Sequence, residues 1–158
     1  MKLTVLAVGK PGPLLAGGIA EYEARAGRYW TLDAVEIREE KAHKGTPLER
    51  VRAAESARLL ERVPAGAELV ALTRGGEAWS STALARYLEA LALRGRAGAA
   101  FVIGGAYGLS EELLRQARHR LALSALTLPH ELARLLLAEQ LYRAGTILRG
   151  EPYHKAME

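Results

Sequence analysis

Short, continuously apolar segments alternate with longer helical patterns along this chain. The first apolar segment covers residues 2–8 and ends at Gly9, and a later one covers residues 99–103. Strands that are apolar at successive positions are buried on both faces, and strands separated by helices pair in parallel. The pattern therefore predicts an α/β fold, with a mostly parallel sheet and helices on both faces.

Turn signals and helical periodicity place the remaining elements. Further strands are predicted at residues 30–38 and 68–72, and a short strand followed by a loop at 121–128. Helices are predicted at residues 14–26, 48–63, 80–93, 110–118 and 130–148. No repeat or linker interrupts this order, so we expect a single domain spanning residues 1–158. Residues 41–47 are expected to form its most mobile loop.

The composition excludes several classes of site. The chain has no cysteine, which excludes disulfides, thiolate catalysis and cysteine-based metal centres. Its four histidines lack the HxxxH and HExxH spacings of zinc sites, so no metal is expected. No apolar run reaches the roughly 18 residues that a membrane span needs. We therefore expect a cytoplasmic protein without a membrane partner.

The basic charge of the chain has two interpretations. The formal net charge is +4, with many arginines, no asparagine and one aspartate. A basic surface suits a nucleic-acid partner. An excess of arginine and glutamate with few thermolabile residues also suits the ion-pair networks of a thermophile. Charge alone does not decide between them.

Three segments rich in glycine, proline or small residues each follow a predicted strand. They are LTRGG at residues 72–76, GGAYG at 104–108 and SALTLP at 124–129. The carboxyl ends of parallel strands meet at one sheet edge, where ligands bind. Any one segment taken alone is better explained as a tight turn. Because three are expected to converge, we favour a ligand site.

The second segment indicates which ligand this site suits. Its pattern is GGxxG rather than the dinucleotide-binding GxGxxG, and the chain has no GxxxxGK[ST]. Glu111 and Glu112 follow it, where their charge would repel a pyrophosphate. An adenosine-like cation without phosphates fits better, and S-adenosyl-L-methionine has that chemistry.

The last predicted helix carries leucines on more than one face. A sheet covers one side of such a helix, so this pattern predicts a homodimer. Glu139 and Arg143 are i,i+4 partners, which suits either an ordinary surface pair or a polar pair in a substrate cleft. His130 begins the helix, where histidine is commonly a structural residue.

The polar tail ends in Tyr153, His154 and Lys155. A terminal segment of this composition is commonly disordered. The combination of an aromatic ring, an imidazole and a cation is also suited to holding a base and a phosphate.

Six motifs resemble one known family, the ribosomal RNA large-subunit methyltransferase H family within the knotted SPOUT methyltransferases. They occur in the family's order and are distributed nearly from one end of the chain to the other, and the last four are highly specific. They are LTVLAVGK from residue 3, IAEYEAR from 19, FVIGGAYGLS from 101, LSALTLPH from 123, EQLYRA from 139 and RGEPYHK from 149.

The resemblance implies a function and a topology that periodicity does not reveal. It implies N3-methylation of pseudouridine 1915 in helix 69 of 23S rRNA, on the assembled ribosome, by a homodimer that uses S-adenosyl-L-methionine. It also implies a C-terminal trefoil knot, which general rules of topology disfavour.

The resemblance also assigns site residues. The cofactor would contact Leu72, Gly104, Gly105, Gly108, Leu123, Ser124, Ala125, Leu126, Thr127 and Leu128. The catalytic and substrate-binding group would contain His130, Glu139, Arg143, Tyr153, His154 and Lys155. His154 is the candidate base, and Arg143 or Lys155 the cation that stabilises developing charge. The family often has an acidic residue where this chain has Thr73, and a proline where it has Ala106.

Alternative functions remain at this stage. One is a non-enzymatic ribosome-binding module, and another is a SPOUT methyltransferase with a different RNA target. A dinucleotide oxidoreductase is a more distant alternative, which the acidic turn after Gly108 disfavours.

Overall fold

A computed structural model describes residues 1–153 of the chain. Its elements are β1 (Lys2–Val8), α1 (Pro13–Ala26), β2 (Thr31–Ile37), α2 (Leu48–Glu61), β3 (Glu68–Ala78), α3 (Ser81–Leu93), β4 (Gly98–Ile103), α4 (Glu111–Gln116), β5 (His119–Ala122) and α5 (His130–Leu148). Within this range five parallel strands form one sheet in the order β2-β1-β4-β3-β5. This confirms the predicted α/β class and the parallel sheet.

Helices cover both faces of the sheet, as predicted. On one face, α1, α3 and α5 pack over a core centred on Phe101 and Val5. On the other face, α2 and α4 pack through Leu59 and Leu113 against Leu6 and neighbouring strand residues. Burial of apolar surface on both faces is the main stabilising contribution to such a sheet.

Strand β3 differs from its prediction. It continues past Leu72 to Ala78, and both Leu72 and Glu77 pair with Leu121 of β5. The residues between Leu72 and Glu77 bulge out of the hydrogen-bonded ladder, because they have no partner residues on β5. Gly76 permits the strand to return, because a Cβ there would lie 2.6 Å from the carbonyl carbon of Arg120.

Helix α5 is more enclosed by its own chain than its leucines suggested. It packs between α1 and α3, and it carries Arg134, which is only 7% exposed. The guanidinium of Arg134 donates to both oxygens of Glu23, at 2.8 and 3.1 Å, and to Glu36 at 3.0 Å. This ion-pair network attaches α5 to α1 and β2. It therefore fixes the position of α5, whose first residue, His130, lies at the carboxyl ends of the strands.

Across residues 1–153, every helix is too short or too polar to span a bilayer.

Candidate active site

The three segments singled out in the sequence meet around one cavity. It has a volume of about 540 Å³ and lies at the carboxyl edge of β3, β4 and β5. Drug-sized ligands occupy cavities of roughly 300–1,000 Å³. Its walls are Leu72, Thr73, Arg74, Ile103, Gly104, Gly105, Ala106, Tyr107, Gly108, Leu109, Leu121, Leu123, Ser124, Leu126, Thr127, Leu128, His130 and Ala133.

The first segment is joined to the third by a hydrogen bond. Arg74, in the bulge of β3, donates from Nη1 to the hydroxyl oxygen of Thr127 at 2.7 Å. This contact ties two walls of the cavity together across 53 positions of sequence. Thr73, which departs from the family pattern, also faces the cavity.

The second segment folds back on itself without side chains. Gly108 donates its backbone N–H to the carbonyl of Gly105 at 3.1 Å and has a φ of +83°. That left-handed conformation favours glycine. A Cβ on Gly104 would lie 2.8 Å from the carbonyl carbon of Gly108. The glycines therefore permit a tight turn at the cavity wall, which a side chain on Gly104 would disrupt.

The third segment is held in place by a side chain of its own. The hydroxyl of Ser124 accepts a hydrogen bond from the backbone N–H of Leu126 at 2.9 Å. The side chain of Leu126 is 74% exposed at the rim of the cavity. Of the residues proposed to hold a cofactor, Ala125 is the one that does not line the cavity.

His130 lies where the cavity meets the ends of β1 and β2. It is the first residue of α5, and its Nε2 is buried without a hydrogen-bond partner among residues 1–153. The position that a Cβ on Gly9 would take is 3.3 Å from Cε1 of His130 and 2.5 Å from a carboxylate oxygen of Glu39. The imidazole is thus held at the cavity wall, with its Nε2 buried and unpaired among the described residues.

Glu139, Arg143 and Tyr153 form a separate polar cluster. Arg143 donates to Glu139 Oε1 at 2.5 Å, and the Tyr153 hydroxyl donates to the same oxygen at 3.1 Å. The guanidinium of Arg143 lies 5.0 Å from the centroid of the Tyr153 ring. The Arg143 and Glu139 side chains are only 12% and 17% exposed, so they are not an ordinary surface pair.

Burial raises the pKa of Tyr153, with a further contribution from the Glu139 carboxylate. The phenol therefore stays protonated at neutral pH and cannot act there as a base.

Comparison with known proteins places this chain in a family. The chain matches a family model described as "Predicted SPOUT methyltransferase" over residues 1–154. It belongs to the SPOUT methyltransferase family. The Ribosomal RNA large subunit methyltransferase H of Gemmatimonas aurantiaca is 47% identical over 156 residues, covering 98% of this chain and 100% of that protein. The protein of that name from Listeria monocytogenes is 43% identical over 159 residues, with coverages of 98% and 100%.

A solved structure supports the fold of this SPOUT methyltransferase. It is described as "Structural insights into the 2-OH methylation of C/U34 on tRNA" and gives a TM-score of 0.50 at 23% identity. The match covers 92% of this chain and 91% of that one. The family resemblance drawn from the six motifs is confirmed by the sequence comparisons, and the enzyme class is that of a methyltransferase.

The residues proposed for catalysis are not all brought together within one chain. His130 lines the cavity, whereas Glu139 lies nine residues further along α5 and Arg143 thirteen. At 1.5 Å per residue these separations are roughly 14 and 20 Å. His154 and Lys155 lie outside the described residues.

Several residues around the site carry no recognisable signal in the sequence. Arg74 and Tyr107 lie inside the first and second segments and line the cavity, although neither is among the individual residues predicted to bind the cofactor. Glu55 belongs to α2, a charged helix, yet is only 4% exposed and contacts the second segment. A single buried carboxylate in a charged helix cannot be distinguished from its exposed neighbours by periodicity.

Proposed function

We propose that this SPOUT methyltransferase uses S-adenosyl-L-methionine to methylate N3 of pseudouridine 1915 in helix 69 of 23S rRNA. It would act as a homodimer on the assembled ribosome, and hence in the cytoplasm. The observation that carries the proposal is the cavity walled by three segments, with glycine backbone on one side and leucines on the other. The names of the relatives from Gemmatimonas and Listeria support large-subunit rRNA as the substrate.

The walls of the cavity fit this cofactor. Leu72, Ile103 and Leu121 offer apolar surface for a flat base, and the Gly104–Gly105 backbone offers polar groups at close range. The first turn of α4 carries Glu111 and Glu112, which disfavour a phosphate-bearing ligand. A nucleoside with a positive charge and no phosphate is consistent with each of these features.

Methyl transfer requires alignment above all. When bound, S-adenosyl-L-methionine supplies a methyl group activated by its sulfonium, which a deprotonated imide nitrogen can take by in-line displacement, leaving a neutral thioether. Holding two reactants in line contributes roughly 7–11 kcal/mol of the barrier reduction in well-oriented systems. The hydrogen bond between Arg74 and Thr127 serves this alignment, because it fixes two walls of the cavity relative to each other.

The substrate nitrogen has to lose its proton before it can attack. His154 is the proposed base, because an imidazole titrates near neutrality. Arg143 is the proposed electrostatic partner of the imide anion, and Lys155 a second one. One N–H of Arg143 is engaged by Glu139, and a guanidinium has five such donors, so others remain for a carbonyl oxygen of the base.

We infer that a second copy of the chain supplies the substrate-binding groups. Within one chain, Arg143 lies ten residues along α5 from Ala133, the last helix residue that lines the cavity. This is roughly 15 Å, too far for direct contact with a reacting base there. A homodimer resolves this separation if the cluster around Arg143 of one subunit faces the cavity of the other. The C-terminal trefoil knot implied by the resemblance also remains a prediction.

Mixing two impaired variants, assayed at a donor concentration that does not saturate Gly104→Ala, tests the shared site. Gly104→Ala should impair the donor cavity, and Arg143→Ala the substrate side. If each site takes its cavity from one subunit and Arg143 from the other, a mixed dimer contains one intact site and regains activity. Without sharing, both subunits of the mixed dimer remain defective, and mixing restores nothing.

Mapping of the product tests the function itself. The purified protein is incubated with isotopically labelled S-adenosyl-L-methionine and ribosomes that lack the modification. Mass spectrometry of nuclease fragments should place the label on N3 of pseudouridine 1915. Label on a tRNA or on a ribose hydroxyl would instead assign a different SPOUT specificity. Ribosome binding without any transfer would support the non-enzymatic alternative.

A further inference from the structure

Glu55 is a buried carboxyl group with one unused oxygen. The residue is 4% exposed, and its Oε2 accepts the backbone N–H of Glu40 at 3.1 Å. Its Oε1 is buried and has no hydrogen-bond partner among residues 1–153. An unpartnered buried carboxylate oxygen is destabilising, so its retention calls for a functional explanation.

This oxygen lies directly behind the second segment of the cavity. The position that a Cβ on Gly105 would take is 3.0 Å from Oε1 of Glu55, and Gly105 itself lines the cavity. The next residue of α2, Ser56, accepts the backbone N–H of Ser110 at 2.9 Å. Helix α2 therefore supports the second segment from the side opposite the ligand, and the carboxyl group is separated from the cavity by a glycine.

The surroundings of Glu55 disfavour its negative charge in the free protein. Burial raises the pKa of Glu55; the hydrogen bond from the Glu40 backbone N–H lowers it in part, and the neighbouring carboxylates of Glu39 and Glu40 raise it further. Arg58 opposes this effect, but its guanidinium is engaged by Glu40 at 3.0 Å and by the backbone carbonyl of Arg38 at 3.0 Å. A cation placed in the cavity would relieve this imbalance.

We propose that Glu55 is a specificity-determining residue that makes the cavity prefer the cationic methyl donor over the neutral thioether product. The proposal rests on the proposed function, because it takes S-adenosyl-L-methionine and S-adenosylhomocysteine as the two ligands. These ligands differ by one methyl group and one positive charge. The charge is the feature that a carboxylate behind Gly105 can recognise.

This preference would serve turnover. A cavity that binds the adenine, ribose and amino-acid groups equally well before and after transfer holds its product as tightly as its donor. Loss of the positive charge on transfer removes the attraction to Glu55. Product release is therefore favoured by the reaction itself, without any movement of the three segments.

Calorimetric titration of the dimer with each ligand tests the proposal. In Glu55→Gln, the amide oxygen can still accept the Glu40 N–H while the charge is absent. We expect weaker donor binding and nearly unchanged product binding. The dissociation constant of the donor relative to that of the product should therefore rise by about three- to tenfold, since a charge interaction that shifts a pKa by one unit changes an equilibrium constant tenfold. Glu49→Gln, an exposed carboxylate of the same helix, is the matched control and should leave the ratio unchanged.

The outcomes separate this proposal from the proposed function. An unchanged ratio in Glu55→Gln, with both ligands still bound, overturns the role of Glu55 and leaves the function intact. Failure of the wild-type protein to bind either ligand overturns the proposed function. If Glu55→Gln does not fold, Glu55→Met replaces it as a neutral side chain of similar length, with the same change expected in the ratio.

Discussion

Replacing Gly104 with alanine is expected to disable the cavity while leaving the fold in place. A Cβ at this position would lie 2.8 Å from the carbonyl carbon of Gly108, 3.0 Å from its oxygen and 3.1 Å from Cδ2 of Leu109. Two of these atoms belong to the backbone and cannot rotate away, so the second segment must shift. The φ of Gly104 is not in the left-handed region, so the effect would be steric rather than conformational.

The size of the effect follows from the cost of overpacking. Inserting a methyl group into a packed site costs about 1–3 kcal/mol. If the segment relieves the clash by moving into the cavity, the donor must reverse that movement in order to bind. Its dissociation constant would then rise by roughly 5- to 150-fold, since about 1.4 kcal/mol corresponds to a factor of ten.

Calorimetric titration with S-adenosyl-L-methionine measures this loss directly. Gly75→Ala is the matched control, because no atom lies within 4 Å of the Cβ position at that glycine in the first segment. Its affinity should equal that of the wild-type protein. If Gly104→Ala bound the donor as tightly as Gly75→Ala does, the close approach of glycine backbone to the ligand would be refuted.

Three further predictions concern stability and catalysis. Arg134→Ala should lower the free energy of unfolding, measured by urea denaturation, by about 3 kcal/mol, because it leaves Glu23 without its partner in a largely buried pair. Arg115→Ala, at an exposed pair, is the control and should have a much smaller effect. His154→Ala should reduce turnover by about 10²–10⁴-fold with donor affinity unchanged, and full turnover would exclude His154 as the base. Because burial raises the pKa of Glu55, folding favours the protonated form of this carboxyl group. Its contribution to the free energy of unfolding is fully present below the ordinary carboxyl pKa of 4.5 and is lost as the pH rises through the pKa of the folded protein. Glu55→Gln should therefore flatten the decline in unfolding free energy above about pH 4.5, and an unaltered pH profile would count against a raised pKa.

Helix-capping residues and the prolines and glycines that flank helices explain which elements could be predicted from the sequence. Helix α5 has the predicted bounds because Pro129 precedes it and Gly150 follows it, and helix α3 begins after Ser80, whose hydroxyl accepts the Ala83 N–H at 3.0 Å. The three segments at the cavity were also predicted, since the carboxyl ends of parallel strands meet at one edge. These features depend on local chemistry that one stretch of sequence contains.

Features that depend on distant partners could not be predicted in this way. The pair Gly75-Gly76 in isolation indicates a turn. Strand β3 nevertheless resumes after Gly76, because it pairs there with the backbone of β5, which lies more than 40 positions further along the chain. The burial of Arg134 depends on Glu23 and Glu36, at separations of 111 and 98 residues. In the sequence Glu55 is likewise indistinguishable from the other charged residues of α2. Its burial depends on packing against the second segment, which follows β4.

Direct observation of the ligand tests the central claim. Crystals of the protein grown or soaked with S-adenosyl-L-methionine or S-adenosylhomocysteine should show the adenosine between Leu72, the Gly104–Gly105 backbone and the third segment. Ligand density elsewhere on the surface, or a cavity filled by the side chains of Leu128 and Ile103 at saturating ligand, would contradict the account.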